Sequence, residues 1–145
     1  VKYLKKYEYL KDDPIRPHLT LTQRLNIGRI YYTGEEEDPD AIVCVAFLNS
    51  IPTEEAHLMS MGNGGRPQPM FGKFHPVWCP YTVWSYKKGA GRDIIFKLRD
   101  IAIEHKTKRL VTLSPKTDMA HKFHISNGAK LLNDNEKTRN YEYEL

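Results

Sequence analysis

Two clusters in this 145-residue chain carry residue types that can do chemistry. The first is Lys87-Lys88-Gly89-Ala90-Gly91-Arg92, a basic glycine turn between a strand-like apolar run ending at Ser85 and an amphipathic helical pattern. A strand feeding a glycine turn at a helix N-terminus aims backbone N–H groups at one spot. The helix dipole adds partial positive charge there, so the spot favours a phosphate. Gly89 and Gly91 let the backbone approach an anion closely, and Lys87, Lys88 and Arg92 supply formal charge. The second cluster is His121 and His124, whose spacing sets both on one side of a helix. An imidazole with an unperturbed pKa of about 6.5 is partly protonated at neutral pH, which makes His124 a candidate proton donor. The structural alternative is a histidine packed beside a sheet. A metal pair is set aside, because no carboxylate or cysteine completes it at a recognisable spacing. Ser85 and Thr82 are candidates to orient a substrate, against the ordinary use of strand hydroxyls in local bonds. Glu54, Glu55 and His75 are candidate bases, against a reading as solvated loop charges. Cys79 has no histidine partner that the sequence can locate, which argues against a nucleophilic thiol.

Those groups need a scaffold, and the pattern supplies one. Tyr3, Leu4, Tyr7 and Leu10 have near-helical spacing, although a starting strand fits too, and Asp12-Asp-Pro-Ile-Arg-Pro17 then breaks regular structure. Thr20–Leu25 reads as one more helical turn. Arg29–Thr33 and the apolar run Ala41–Leu48 read as an antiparallel hairpin around the acidic turn Gly34–Asp40. Pro52–Ala56 reads as a short helix or edge strand, and 49–76 as an irregular, flap-like stretch rich in glycine and proline. Val77–Tyr86 is a strand with a bulge or kink at Pro80. Ile94, Ile95, Leu98, Ile101 and Ala102 form the apolar stripe of the next helix, and Arg109–Ser114 is a strand returning parallel to the first. Ser114 with Pro115 predicts the cap and first position of a helix over 115–126, stopped at Asn127-Gly128. A terminal hairpin over Ala129–Leu132 and Arg139–Glu144, turning at Asn133–Asn135, closes the chain.

Bulk composition bounds the possibilities. The length fits one domain over 1–145, with 40% hydrophobic and 28% charged residues, ordinary values for a globular protein. No apolar run reaches membrane-spanning length, and no signal-peptide pattern opens the chain, so a cytoplasmic location without membrane partners is the expectation. Cys44 and Cys79 read as reduced thiols, Cys44 as a small core residue. Residues 1–76 hold 9 Lys and Arg against 10 Asp and Glu, whereas 77–145 hold 13 against 8. The basic excess thus surrounds the glycine turn. The dinucleotide pattern G-x-G-x-x-G fails at Ile94, and no P-loop is present. Trp78, Tyr81 and Trp84 permit a nucleic-acid reading through stacking, but that reading leaves the glycine turn unexplained, and three aromatics on one strand ordinarily pack a sheet.

The order of elements, antiparallel strands followed by strand–KKGAGR–helix–strand–helix and a hairpin, resembles the GNAT superfamily of acyl-CoA-dependent N-acyltransferases. Tyr86-Lys-Lys-Gly-Ala-Gly91 is similar to that family's [Q/R]-x-x-G-x-[G/A] turn, with Tyr86 where Gln or Arg is usual. Thr117, Ala120, Phe123, His124, Gly128 and Ala129 keep the spacing of its N-x-x-A-x-x-hydrophobic-Tyr-x-x-x-G-F pattern. Thr117, His124 and Ala129 depart from it in type. The likeness covers about residues 29–145 and is strongest over 77–132. The run VTLSPKT…FH…NGAKLL also resembles small acyltransferase-like proteins of marine phage.

The resemblance implies an α/β (α+β-like) single domain: a mixed, mostly antiparallel sheet, helices on both faces, and two central parallel strands that splay apart. It implies acetyl-CoA, coenzyme A or another acyl-CoA as ligand, held by Tyr81, Val83, Trp84, Lys87, Lys88, Gly89, Ala90, Gly91, Arg92, Ser114 and Thr117. It implies acyl transfer to the amine of a small molecule or protein, by direct attack. His124 would act as general acid in the place of the family's tyrosine, with Ser85 and Glu55 as further catalytic candidates. A non-catalytic module that binds coenzyme A is the alternative, and a homodimer through the closing hairpin is a further possibility left open.

Overall fold

The structure, a computed structural model, describes residues 1–61 and 76–145. Half of the flap-like stretch and the candidate base His75 therefore lie outside the described residues. The start of the chain is not one helix. β1 (Lys2–Tyr3) pairs with the next strand, and a 3-10 turn follows at Tyr7–Asp12. Thr20 then caps α1 (Leu21–Ile27) reciprocally: its hydroxyl accepts from the Gln23 amide, and the Gln23 side chain accepts from the Thr20 amide.

β2 (Gly28–Glu35) and β3 (Asp38–Leu48) form the expected antiparallel hairpin, with strands reaching further into the acidic segment than its composition suggests. β3 is paired on both sides, and its residues from Ala41 to Leu48 are buried. Ile42, Cys44, Ala46 and Leu48 face one core, whereas Ala41, Val43, Val45 and Phe47 face the other. The short helix α2 (Glu55–Ser60) packs Leu58 into the first core together with α1.

β4 (Val77–Ser85) runs antiparallel to β3, with a register shift that leaves Tyr81 as the extra residue between the pairs Thr82–Cys44 and Pro80–Val45. This is the bulge expected at Pro80, and it reverses the alternation of the strand. Cys79 and Tyr81 face the first core, and beyond the bulge Trp84 does so as well. α3 (Ala90–Glu104) then buries Ile94, Ile95, Leu98 and Ala102 against the opposite core. Truncating Leu98 there would leave a cavity costing about 2–5 kcal/mol.

β5 (Arg109–Val111) lies parallel to β4, but the ladder holds only the pairs Val77–Arg109 and Trp78–Leu110. β6 (Ser114–Pro115) continues along β8 in the same register, so β5 and β6 are one strand interrupted at Thr112 and Leu113. The expected helix cap at Ser114 is a correction: Ser114 and Pro115 are extended and paired with Arg139 and Thr138. Thr117 is the cap instead, its hydroxyl accepting from the Ala120 amide, and α4 runs over Asp118–Ser126. Pro115 satisfies the sheet edge as readily as a first helical turn, because it lacks an N–H in either setting. Gly128, at φ 95°, ends the helix as its sequence predicts. β7 (Lys130–Asp134) and β8 (Thr138–Tyr143) close the sheet, with β7 taking in Asn133 and Asp134 of the expected turn.

The result is a mixed α/β fold with a mostly antiparallel open sheet of order β1-β2-β3-β4-β5/β6-β8-β7. Two hydrophobic cores lie on its opposite faces, one under α1 and α2, the other under α3. Among the described residues no helix is long and apolar enough to cross a membrane.

Candidate functional site

Where the parallel ladder stops, a cavity begins. Past Trp78, β4 keeps its pairing with β3 but has no strand partner on the β5/β6 side among the described residues. A cavity of about 770 Å³ occupies this side, walled by Pro80–Ser85 of β4, Ser114 and Pro115 of β6, Gly91 and Ile95 of α3, and one face of α4. Pro14 and Ile15 cover part of it. The walls are mainly apolar, with hydroxyls and one imidazole at defined places.

A residue that the spacing gave no reason to notice spans the same gap. Arg16, 4% exposed, donates from one guanidinium nitrogen to the Tyr81 carbonyl of β4, and from another to the Leu113 carbonyl, 3.1 Å away, between β5 and β6. It supplies donors where a continuous ladder would have supplied amides. Its Nε donates to Glu55 Oε1 at 3.0 Å, and His18 Nε2 lies 2.7 Å from Glu55 Oε2. Glu55 is therefore held in an ion pair and does not line the cavity. Behind Arg16, Asp13 Oδ1 accepts from the amides of Ile15 and Arg16 and from the Thr82 hydroxyl, while Asp13 Oδ2 accepts from Arg24 at 2.8 Å. Burial pushes the Asp13 carboxyl up, but the Arg16 amide, Arg24 and the other donors outweigh it, and its pKa lies below the usual value. Thr82 thus spends its hydroxyl on structure.

The glycine turn lies at one end of the cavity. Gly89 has φ 79°, and a Cβ there would meet nothing within 4 Å. Gly91 lines the wall beside Phe123 and Ser85; a Cβ on it would come 3.4 Å from the Phe123 ring. The Gly91 and Arg92 amides, in the first turn of α3, have no intrahelical acceptors, and among the described residues no side chain caps this helix start. Ala90 N–H is already bonded to the Lys87 carbonyl. The three cations differ in their surroundings. Lys87 is drawn to Asp38 and Asp40, at 3.2 and 2.7 Å, and the hydrogen bonds it donates to the Asp40 and Asp38 carboxylates raise its pKa. Lys88 and Arg92 are exposed, with Arg92 stacked over Phe96. An anion at this turn would therefore meet backbone amides, Lys88 and Arg92, with Lys87 engaged elsewhere.

The second cluster is deeper. His124 is 6% exposed and faces the cavity from α4. Its Nε2 is 3.1 Å from Ser114 Oγ, which is 2.8 Å from Thr112 Oγ1. Its Nδ1 is 2.7 Å from the Tyr143 hydroxyl, which also accepts from the Asn127 side chain at 3.4 Å. The ring stacks on Tyr141, centroids 4.9 Å apart. Burial pushes the His124 pKa down to about 4. At neutral pH only about one imidazole in a thousand is then protonated. The neutral ring is consequently the resting form, in place of the partly protonated one that an unperturbed histidine would give. His121 instead bonds the Tyr141 hydroxyl at 2.9 Å, and no metal-binding group exists among the described residues.

Of the sequence-predicted residues, the cavity brings together Tyr81, Val83, Trp84, Ser85, Gly91, Ser114, Thr117 and His124. Glu55 and Lys87 are committed to ion pairs, and Gly89, Ala90, Lys88 and Arg92 lie beyond the cavity wall. Cys79 is buried and its thiol is pushed up to about 12, which removes the thiolate. Trp78, Tyr81 and Trp84 are buried core rings, unavailable for stacking bases. Asp13, Arg16, Arg24, Thr112, Asn127 and Tyr143 escaped the sequence reading. The one available signal was the alternation Asn140-Tyr-Glu-Tyr143, which marks Tyr141 and Tyr143 as sharing a face. No protein-family model matches the sequence, and a search of curated proteins finds no match.

Proposed function

We propose that this chain is an acyl-CoA-dependent N-acyltransferase of the GNAT type, with acetyl-CoA as the expected donor and an amine as acceptor. The observation that carries this reading is the parted strand pair: a parallel ladder of two residue pairs, then an apolar cavity with a glycine turn and uncapped helix start at one end. An extended pantetheine arm suits such a gap, since strand edges offer main-chain groups and the walls offer apolar surface. β4 at Val83 and Trp84 and β6 at Ser114 would hold that arm. The Gly91 and Arg92 amides, with the Lys88 and Arg92 side chains, would hold the diphosphate. The bound thioester supplies an activated acyl group. Ser85 and Thr117 would orient it, and His124, neutral at rest, would take a proton from the attacking amine and hand it to the departing sulfur.

Thermal shift and native mass spectrometry with coenzyme A and acetyl-CoA test the binding half; no effect from either ligand ends the reading. Thiol release from acetyl-CoA across a panel of amines tests the transfer half. His124→Phe should keep coenzyme A binding and lower turnover at least about tenfold, the minimum expected for loss of a proton-transfer group. A second reading, a module that binds coenzyme A without turnover, is favoured by the neutral, doubly engaged imidazole of His124. It predicts the same thermal shift with no thiol release.

A further inference from the structure

We propose that Ser114 is an acyl-accepting nucleophile, activated by His124 and oriented through Tyr143, so that the cavity wall forms a covalent acyl-enzyme. The inference rests on the acyl-transfer reading only for the identity of the natural donor and replaces its direct attack by two half-reactions; the geometry of the serine and histidine stands apart from it.

Nucleophile, base and orienting group lie within reach of one another. Ser114 Oγ is 3.1 Å from His124 Nε2, and His124 Nδ1 is 2.7 Å from the Tyr143 hydroxyl. This is the arrangement in which a weak hydroxyl nucleophile is activated: a neutral base on the serine, and a third group that fixes the base's ring. Ser114 and His124 both line the cavity, so an acyl donor there can reach them. The remaining contacts fix a consistent set of hydrogens. Thr112 Oγ1 accepts from the Tyr141 amide at 3.1 Å, which directs its own hydrogen to Ser114 Oγ. Ser114 then donates to Nε2, and the imidazole hydrogen sits on Nδ1, directed at the Tyr143 oxygen, where Asn127 also donates. Stacking on Tyr141 and the Phe123 contact hold the ring in plane.

Burial keeps the His124 ring neutral, so Nε2 is able to accept a proton at the start. Ser114 Oγ forms a bond to the acyl carbon while its proton passes to His124 Nε2. The bond from that carbon to the leaving sulfur breaks, and the same proton moves from Nε2 to the thiolate. The products are free thiol and Ser114 ester. An amine attacking the ester gives its proton to Nε2, which returns it to Ser114 Oγ as the amide leaves. His124 thereby becomes an acid only with the proton it has just taken from Ser114. Burial makes the transient imidazolium costly, and the Tyr143 oxygen, accepting from Nδ1–H, offsets part of that cost.

The test uses the full chain with two donors, acetyl-CoA and p-nitrophenyl acetate, and no amine. Acid-quenched intact mass spectrometry should find one acetyl group per chain, mapping to the peptide with Ser114, and p-nitrophenolate should appear in a burst. S114A should abolish the adduct, and H124N should slow p-nitrophenolate release about 10²-fold, the scale of a lost general base. Y143F, which keeps the ring but loses the acceptor for Nδ1–H, should slow release less than H124N and shift its pH profile. Circular dichroism and the unliganded melting temperature of S114A establish that it is folded. The proposal is overturned if the wild-type chain gives neither adduct nor Ser114-dependent release, or if the adduct persists in S114A. Acetylation of Ser114 by the phenyl ester with no coenzyme A binding would keep the nucleophile and remove the acyl-CoA reading. Amine acetylation from acetyl-CoA that survives in folded S114A would keep that reading and remove the nucleophile.

Discussion

Replacing Arg16 by leucine should destabilise the protein by about 1–5 kcal/mol and disturb the cavity at the same time. Arg16 serves the Tyr81 and Leu113 carbonyls across the gap between β4 and the β5/β6 strand. A buried acceptor left without a donor costs about 1–3 kcal/mol, so two give about 2–6 kcal/mol before compensation. A leucine side chain repeats the packing of the buried arginine stem and adds about one carbon, which returns about 0.8 kcal/mol through apolar burial. The contact to Glu55, whose side chain is 36% exposed, is counted as nothing. With a urea m-value of about 2 kcal/mol/M for a domain of this size, the midpoint should fall by about 0.5–2.5 M. Equilibrium urea unfolding followed by tryptophan fluorescence reads this directly, since Trp78 and Trp84 flank the affected stretch of β4. Arg16→Lys should lie between leucine and wild type, because a single ammonium lacks the fork that reaches both carbonyls. A leucine variant within about 0.3 M of wild type, well inside the loss calculated from the two carbonyls, would refute the argument that these strands depend on a side chain for their missing ladder bonds.

Asp13→Asn should flatten the acid limb of the stability curve. The folded-state pKa of Asp13 lies below its usual value, so the unfolded chain binds more protons as pH falls. The carboxylate's contribution is present above about pH 4 and is lost as pH drops through the folded pKa. Melting temperatures of both proteins from about pH 7 to pH 2.5 should therefore converge at the acid end; parallel curves would refute the assignment. Gly89→Ala should cost about 1–2 kcal/mol from its left-handed backbone alone, since no atom crowds the new Cβ, and differential scanning calorimetry reads the loss. Arg92→Ala should weaken coenzyme A binding more than Lys87→Ala, because the Lys87 ammonium is engaged by Asp38 and Asp40. Isothermal titration of both variants tests this, and equal losses would contradict it.

The sequence carried the fold further than the site. Strands β2, β3 and β4, helix α3 and the closing hairpin each announce themselves by an apolar period or a turn residue, and those signals are local. Ser114-Pro115 misled because the same two residues suit a helix start or a sheet edge, and only pairing with Arg139 and Thr138 decides. The bulge at Tyr81 was foreshadowed by Pro80, yet its effect, bringing both Tyr81 and Trp84 to one core, depends on register with β3. Ser114 and His124 were both legible as candidates, separately. Their contact, and the supply of Tyr143 from the last strand, depend on long-range packing that no spacing encodes. Arg16 was illegible for a plainer reason: its partners are backbone carbonyls, which every residue has.

The interrupted ladder also gives the sheet a pivot. The strands β1–β4 on one side and β5–β8 on the other share two parallel residue pairs, at Val77–Arg109 and Trp78–Leu110. Ser85 lies seven positions beyond Trp78, a lever arm of about 23 Å at about 3.3 Å per residue, so a rotation of about 5° at the pivot moves the far strand end by about 2 Å. Arg16 acts at Tyr81 and Leu113, three positions from the pivot on each arm, where the same rotation displaces the chain by about 0.9 Å. The guanidinium can thus stay attached to both arms while the wide end, with Ser85 and Gly91, changes its width. One short ladder and one side chain let the sheet hold its cores shut and keep one seam adjustable.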